Sequence, residues 1–232
     1  MLIAAFDSTA VTASCAVAEI TNGKVSTYSL FTVKNKLTHS EILLPLLENA
    51  LLQYGASISD IDLFAVSAGP GSFTGVRIGV ATVKGLAFNS GKPCASVSPI
   101  EAMAKTVGRG YVLPVMDARR DQYYTALFKD GSRVTEDDAL SVDEIKEMLK
   151  DVSEITVCGD GRDGFLAKCN CDGRFFPCSD ATRDQNALSV AICGYEQFEK
   201  GLAVSAESLQ PIYLRMPQAE RERLEREKAN KE

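Results

Sequence analysis

Three groups of residues in this 232-residue chain have the types and spacing to do chemistry. Asp7 closes the apolar run 2–6 and is followed by Ser8-Thr9; Asp117 closes the run 111–116 and is followed by Ala118-Arg119-Arg120. Carboxylates at matching strand ends suit a cleft for a metal–nucleotide, because magnesium is held through a few carboxylates plus waters and phosphates. The second group is glycine: Gly69, Gly71 and Gly75 in one turn, and Gly159 and Gly161 in another. Such turns expose backbone N–H groups, and one that opens a helix can hold an anion. The third is His39, the one histidine of the chain, beside Ser40 and Glu41.

Each group meets a limit. A P-loop needs a lysine after its second glycine, and none follows Gly75. The spacing G-x-G-x3-G also differs from the dinucleotide fingerprint, and no acid follows at the ribose position. Two readings stand for this stretch: an anion site with Arg77 as counter-charge, or a helix entry whose glycines serve backbone geometry. The Asp7 turn lacks glycine, and two bulky arginines follow Asp117. Asp7, Ser8, Asp117, Gly159 and Gly161 therefore read as a vestigial nucleotide cleft. One histidine excludes the H-E-x-x-H metalloproteases. No G-x-S-x-G elbow offers it a nucleophile. His39 reads as a helix cap or part of a contact surface.

Composition narrows the classes further. With 25 basic and 31 acidic residues the net charge is −6. Phosphate contacts supply most nucleic-acid affinity, so this balance argues against a chain gripping nucleic acid alone, though not against a subunit of a complex that does. Hydrophobic residues at 45% and charged residues at 24% are soluble-globular usage. No leader and no stretch of ~18 apolar residues is present, which gives the expectation of a cytoplasmic chain with no membrane segment. Seven cysteines are read as reduced thiols. Cys169, Cys171 and Cys178 are spaced C-x-C-x6-C, unlike the C-x2–4-C pairs of zinc sites, so they read as loop thiols with no metal.

The elements that must position these residues follow from periodicity. Strands at 14–20 and 24–33 flank Asn22-Gly23, the strongest short hairpin signal. Over 39–54, Ile42, Leu43, Leu46, Leu47, Ala50, Leu51 and Tyr54 recur at helical spacing, with Pro45 in the first turns. Leu44 and Leu52 lie off that stripe, so the helix carries more apolar surface than one core-facing side requires. Either a second face meets a partner helix, or the helix is buried on both sides. A strand at 63–66 leads into the glycine stretch and a helix at 74–88; a strand at 94–97 and a helix at 98–106 follow. The second half begins alike, with a strand at 111–116, Asp117, a strand at 123–129, the Asp130-Gly131 turn and its partner from Arg133. A helix at 142–149 and a strand at 155–158 entering Gly159 and Gly161 complete the parallel. A period of about 110 residues means a duplicated domain, against the alternative of chance recurrence. A helix at 186–200 and an extended piece at 211–215 precede the tail 218–232, which has five basic and five acidic side chains and one large apolar residue, Leu224.

The stretches FDSTA (6–10), HSEILLPLLENAL (39–51), VSAGPGSFTGVRIG (66–79), MDARRDQYYTALF (116–128) and PIYLR (211–215) together resemble the TsaB (YeaZ) family over residues 2–217. Where many relatives open LDTS, this chain reads FDST. The resemblance implies an α/β fold of the duplicated actin/hexokinase/Hsp70-like (ribonuclease H-like) kind. Its halves would be 1–108 and 109–217, with the helix at 186–200 packing back on the first half and 218–232 a charged tail. It implies a non-catalytic subunit required for threonylcarbamoylation of the adenosine next to the anticodon in tRNA. Such a subunit pairs with a TsaD-like catalytic paralogue, whose metal-holding H-x3-H pair a chain with one histidine cannot supply. It helps dock a TsaE-like ATPase, meets tRNA only through the complex, and self-pairs as a homodimer when alone. No cofactor of its own is implied, and ATP enters at the level of the complex. The expected interface joins helices 39–54 and 74–88 through His39, Leu43, Leu47, Leu51, Phe73, Val76, Arg77 and Val80. Two other readings compete. A small-molecule or sugar kinase of the same fold rests on Asp7, Asp117 and the glycine turns; a peptidase rests on older family naming alone.

Overall fold

The computed structural model describes residues 1–35, 39–88, 90–169 and 172–215. In chain order the first half holds β1 (Leu2–Asp7), β2 (Ala13–Thr21), β3 (Lys24–Val33), α1 (His39–Tyr54), β4 (Leu63–Ser67), α2 (Phe73–Ala87), β5 (Cys94–Val97) and α3 (Pro99–Val107). The second holds β6 (Tyr111–Asp117), β7 (Gln122–Thr125), β8 (Phe128–Lys129), β9 (Ser132–Arg133), β10 (Asp138–Ser141), α4 (Val142–Met148), β11 (Ile155–Cys158), α5 (Arg162–Lys168), β12 (Phe175–Pro177) and α6 (Ala187–Glu199).

The strand order carries the argument for duplication. The first sheet runs β3-β2-β1-β4-β5 and the second β10-β7-β6-β11-β12. In each, two antiparallel partners lie on one side of the leading strand and two parallel ones on the other. The repeat read from the sequence is thus a repeat of topology, the duplicated actin-like arrangement. Central strands are buried on both faces, which is why 2–6, 63–66 and 111–116 are unbroken apolar runs. Asn22 and Gly23 sit at φ 50° and 72°, and Asp130 and Gly131 at 50° and 76°, the left-handed pairs that a tight hairpin needs.

Helices α1 and α2 cover one face of the first sheet, and α6 covers the other. Asn186 caps α6 by accepting the Ser189 N–H at 3.1 Å. Gly194 lets α6 approach closely, because a Cβ there would lie 2.6 Å from the Ala65 methyl. Thus α6, though late in the chain, packs on β1, β2, β4 and β5. In the second half α4 and α5 cover one face, and α3 supplies Ile100, Met103 and Ala104 to the other.

Three local readings need correction. The strand expected over 123–129 is broken into β7 and β8, both paired with β6. Pro114, midway along β6, has no N–H for the ladder; its carbonyl instead accepts the Thr125 hydroxyl at 2.7 Å. The partner strand expected from Arg133 onward is divided as well: β9 pairs with β8, and β10 forms the edge of the second sheet beside β7. Finally, the cysteines are not loose loop thiols. Cys169 is buried in the α4–α5 core and Cys178 in the α3-side core, on opposite faces of the sheet, while Cys171 lies outside the described residues. The charged tail also lies outside them. Among the described residues no helix is long and apolar enough to cross a membrane.

Candidate functional site

The turn after β1 is built around Asp7. Its Oδ1 accepts the Thr9 N–H at 2.9 Å and the Thr9 hydroxyl at 2.8 Å, and its Oδ2 accepts the Ser67 hydroxyl at 2.5 Å. The side chain is wholly buried, and that burial pushes its carboxyl above the ordinary range despite these donors. Asp7 therefore braces β1 to β4 and does not reach the cleft. Ser8 is equally buried, donating to the Gly75 carbonyl at 2.8 Å. Asp117 differs, being exposed at the end of β6, where its Oδ1 accepts the Arg119 N–H at 2.7 Å. The strand ends match, as the sequence suggested, but the two carboxylates do not converge.

The partner that Asp117 does have is Asp160, between Gly159 and Gly161, which no motif in the sequence singles out. Burial, and then the charge of Asp117, push the Asp160 carboxyl up to about 6, and its Oδ1 has no hydrogen-bond partner. Asp160 is flanked by the two glycines expected to admit a phosphate. Gly159 sits at φ +100°, and a Cβ there would lie 2.2 Å from the Val115 carbonyl oxygen. Its N–H donates to Arg183 O at 2.7 Å, and that of Gly161 to Val115 O at 3.1 Å. Both amides are consumed by the fold, so these glycines allow close packing on β6 and cradle no phosphate.

The glycine-rich turn before α2 resolves the same way. A Cβ at Gly75 would stand 2.0 Å from the Ser8 carbonyl oxygen, and one at Gly79 2.7 Å from the Ser8 hydroxyl. A Cβ at Gly69, φ +116°, would stand 2.2 Å from the Ile212 carbonyl oxygen. The motif seats α2 directly against the Asp7–Thr9 turn and seats the extended segment 211–215 against Gly69. Arg77 is not an unengaged counter-charge. Its guanidinium lies 3.8 Å above the Phe73 ring, and its Nε donates to the Tyr213 hydroxyl at 2.8 Å. Phe73 and Tyr213 stack at 4.8 Å.

The segment 211–215 thereby becomes a strap. The Ile212 N–H donates to Ala68 O at 2.7 Å, and Arg215 Nη1 donates to Ala118 O at 2.7 Å while Nη2 reaches the Gln122 side chain. It ties α2 of the first half to the β6–β7 turn of the second. Between them lies a cleft of about 480 Å³, lined among others by Thr9, Ser72, Asp117, Arg119, Asp160 and Tyr213. Arg119, Arg120 and Asp121 stand at φ 64°, 54° and 59°, three left-handed non-glycine residues in a row.

The expected helix interface divides in two. Leu43, Leu47, Val76 and Val80 are at most 3% exposed and belong to the core under α1 and α2, so they are not a free surface. Leu51 is half-buried against that core, and Phe73 and Arg77 are engaged by the strap. His39 is half-buried, its Nε2–H donating to Ala10 O at 2.7 Å; it ties the start of α1 to the β1–β2 loop. What faces outward is the off-stripe set. Leu44 and Leu52 of α1 are 46% and 73% exposed, and Phe88 after α2 is 62% exposed. Ala81 and Gly85 are exposed along α2. Because α1 and α2 lie side by side, these residues stand on the outward sides of neighbouring helices, where Glu48 and Asn49 are exposed as well.

The chain resembles known proteins over nearly its whole length. Residues 34–160 match the family model described as TsaD, tRNA N6-adenosine threonylcarbamoyltransferase. A tRNA threonylcarbamoyladenosine biosynthesis protein TsaB of Bacillus subtilis is 32% identical, over 83% of this chain and 86% of its own. The protein of that name from Escherichia coli is 30% identical, over 93% and 95%. A Pseudomonas aeruginosa structure, described as an uncharacterized protein with similarity to peptidase YEAZ, aligns at TM-score 0.78 and 23% identity, covering 92% of this chain and 99% of its own; it shares the fold.

Proposed function

The chain belongs to the TsaB family of tRNA threonylcarbamoyladenosine biosynthesis proteins, and from that premise we propose that it is the non-catalytic partner subunit of the modifying complex. It pairs with a TsaD-like catalytic paralogue, and the pair helps dock a TsaE-like ATPase. The observation that carries this reading is the outward surface of α1 and α2. Leu44, Leu52 and Phe88 are large apolar side chains in contact with solvent, and the small exposed residues Ala81 and Gly85 of α2 leave room for a second pair of helices to approach closely. The same surface would join two copies of this chain when the paralogue is absent.

The remaining features agree with a supporting role. One histidine leaves no H-x3-H pair, so metal-dependent transfer belongs to the partner. A net charge of −6 assigns the grip on tRNA phosphates mainly to other subunits. ATP acts at the level of the complex, in the cytoplasm. The kinase alternative loses its footing because Asp7 is spent inside the fold and the Gly159 and Gly161 amides are already bonded. Light scattering of this chain mixed with the TsaD-like paralogue tests the proposal: a heterodimer mass is expected, and two unassociated species would refute it. Turnover of magnesium–ATP by the isolated chain would restore the kinase reading.

A further inference from the structure

Strands β11 and β12 run parallel with Val157 opposite Pro177, and the Cys178 N–H donates to Val157 O at 2.9 Å. The next residues, Cys158 and Cys178, are therefore neighbours across adjacent strands. Ordinary strand spacing of about 4.8 Å falls within the Cα separation of roughly 4.4–6.8 Å that a disulfide spans. Both side chains enter the same apolar cluster on the α3 side of the sheet. Their surroundings differ. Cys158 is wholly buried, whereas Cys178 is 8% exposed and touches a cation: Arg162 Nη1 donates to its sulfur at 3.8 Å and to its carbonyl at 2.9 Å. Arg162 is itself held by Asp163 and Asp180. Reactive cysteines sit beside cations at the rim, and a resolving thiol stands behind them.

We propose that Cys178 and Cys158 form a redox-modification site that small organic disulfides, of the glutathione type, oxidise. The Cys178 thiolate attacks one sulfur of the small disulfide; a protein–small-molecule S–S bond forms, the original S–S bond breaks, and one thiolate leaves and takes up a proton. Cys158 then gives up its proton and attacks the Cys178 sulfur, forming the Cys158–Cys178 bond and expelling the second small thiol. Two protein thiols lose two electrons, one small disulfide becomes two thiols, and both protons end on those thiols. Burial holds the Cys158 thiol well above its ordinary range, so the second step is the slower one and the adduct on Cys178 precedes the internal bond. The bond would pin β12 to β11 beside Asp160 without involving the α1–α2 surface.

The test is to incubate the reduced full chain, folded, with glutathione disulfide and to map its peptides by mass spectrometry. A glutathione adduct on Cys178 should appear first, followed by a Cys158–Cys178 cross-link with loss of two free thiols, reversed by dithiothreitol. Cys158→Ser, or Cys158→Ala if the serine variant fails to fold, should trap the adduct on Cys178; Cys178→Ser should abolish both products. Adducts confined to other cysteines, a cross-link joining another pair, or oxidation of Cys158 in Cys178→Ser at the wild-type rate would overturn the proposal.

Discussion

On the proposed pairing, two leucines five residues apart on α1 should respond in opposite ways. Leu47 is 3% exposed in the core, and Leu52 is 73% exposed on the outward surface. Leu47→Ala removes a buried side chain and leaves a cavity, costing about 3–5 kcal/mol. That is a large part of a native stability of about 5–15 kcal/mol. At roughly 2–4 °C per kcal/mol for a chain of this size, Tm should fall by about 6–20 °C. Leu47→Glu adds the desolvation of a carboxyl and should leave little folded protein. Leu52→Glu should change stability by no more than about 0.5 kcal/mol. If Leu52 is desolvated in the heterodimer, however, its replacement should weaken pairing by about 2 kcal/mol or more, near thirty-fold in Kd. Thermal unfolding of each variant, followed by titration with the TsaD-like paralogue, gives both numbers. The reasoning fails if Leu47→Glu melts at the wild-type temperature, or if Leu52→Glu combined with Phe88→Glu pairs with wild-type affinity.

Further outcomes follow from other sites. Gly75→Ala should cost about 3 kcal/mol, because its methyl meets the Ser8 carbonyl, whereas Gly85→Ala, with nothing within 4 Å, should gain up to about 1 kcal/mol; equal urea midpoints for the two would contradict this. Asp160 binds its proton more tightly folded than unfolded, so its contribution is fully present below about pH 4 and lost as pH rises through about 6. Asp160→Asn should therefore stabilise the chain more at pH 8 than at pH 5, by about 1.4 kcal/mol, and a pH-independent difference in melting temperature would exclude that account. Tyr213→Phe keeps the stack on Phe73 but removes the acceptor of Arg77 Nε, at about 1 kcal/mol. Hydrogen exchange at the Ile212 amide should accelerate, and unchanged protection would show that the strap is held elsewhere.

Much of the architecture was legible because it is written in local patterns. Asn22-Gly23 and Asp130-Gly131 announce hairpins by their tolerance of positive φ. The unbroken apolar runs before Asp7 and Asp117 mark strands buried on both faces, and the helical spacing from Ile42 to Tyr54 marks α1. The break between β7 and β8 was less visible, since it depends on Pro114 in the neighbouring strand rather than on residues 122–129. Asp160 was hidden for a similar reason. Nothing near it in sequence tells that β11 pairs with β6, ending opposite Pro114, so that the turn beyond it brings Asp160 to Asp117.

The sequence by itself determined the two-fold repeat, the family resemblance carried by residues 66–79 and 116–128, and the single histidine that excludes an H-E-x-x-H metal site. Those are properties of order and composition, unchanged by folding. The uses of the individual residues were decided only by tertiary structure. An aspartate at a strand end faces a cleft at Asp117 and is enclosed by hydroxyls at Asp7, because Ser67 and Thr9 surround only the latter. Apolar residues at helical spacing show that α1 has faces but not which face meets water. The sheet beneath it claims Leu43 and Leu47 and leaves Leu44 and Leu52 outside. Glycine marks a need for space, and only the approach of Ser8, Val115 and Ile212 shows that the space is filled by the protein's own backbone.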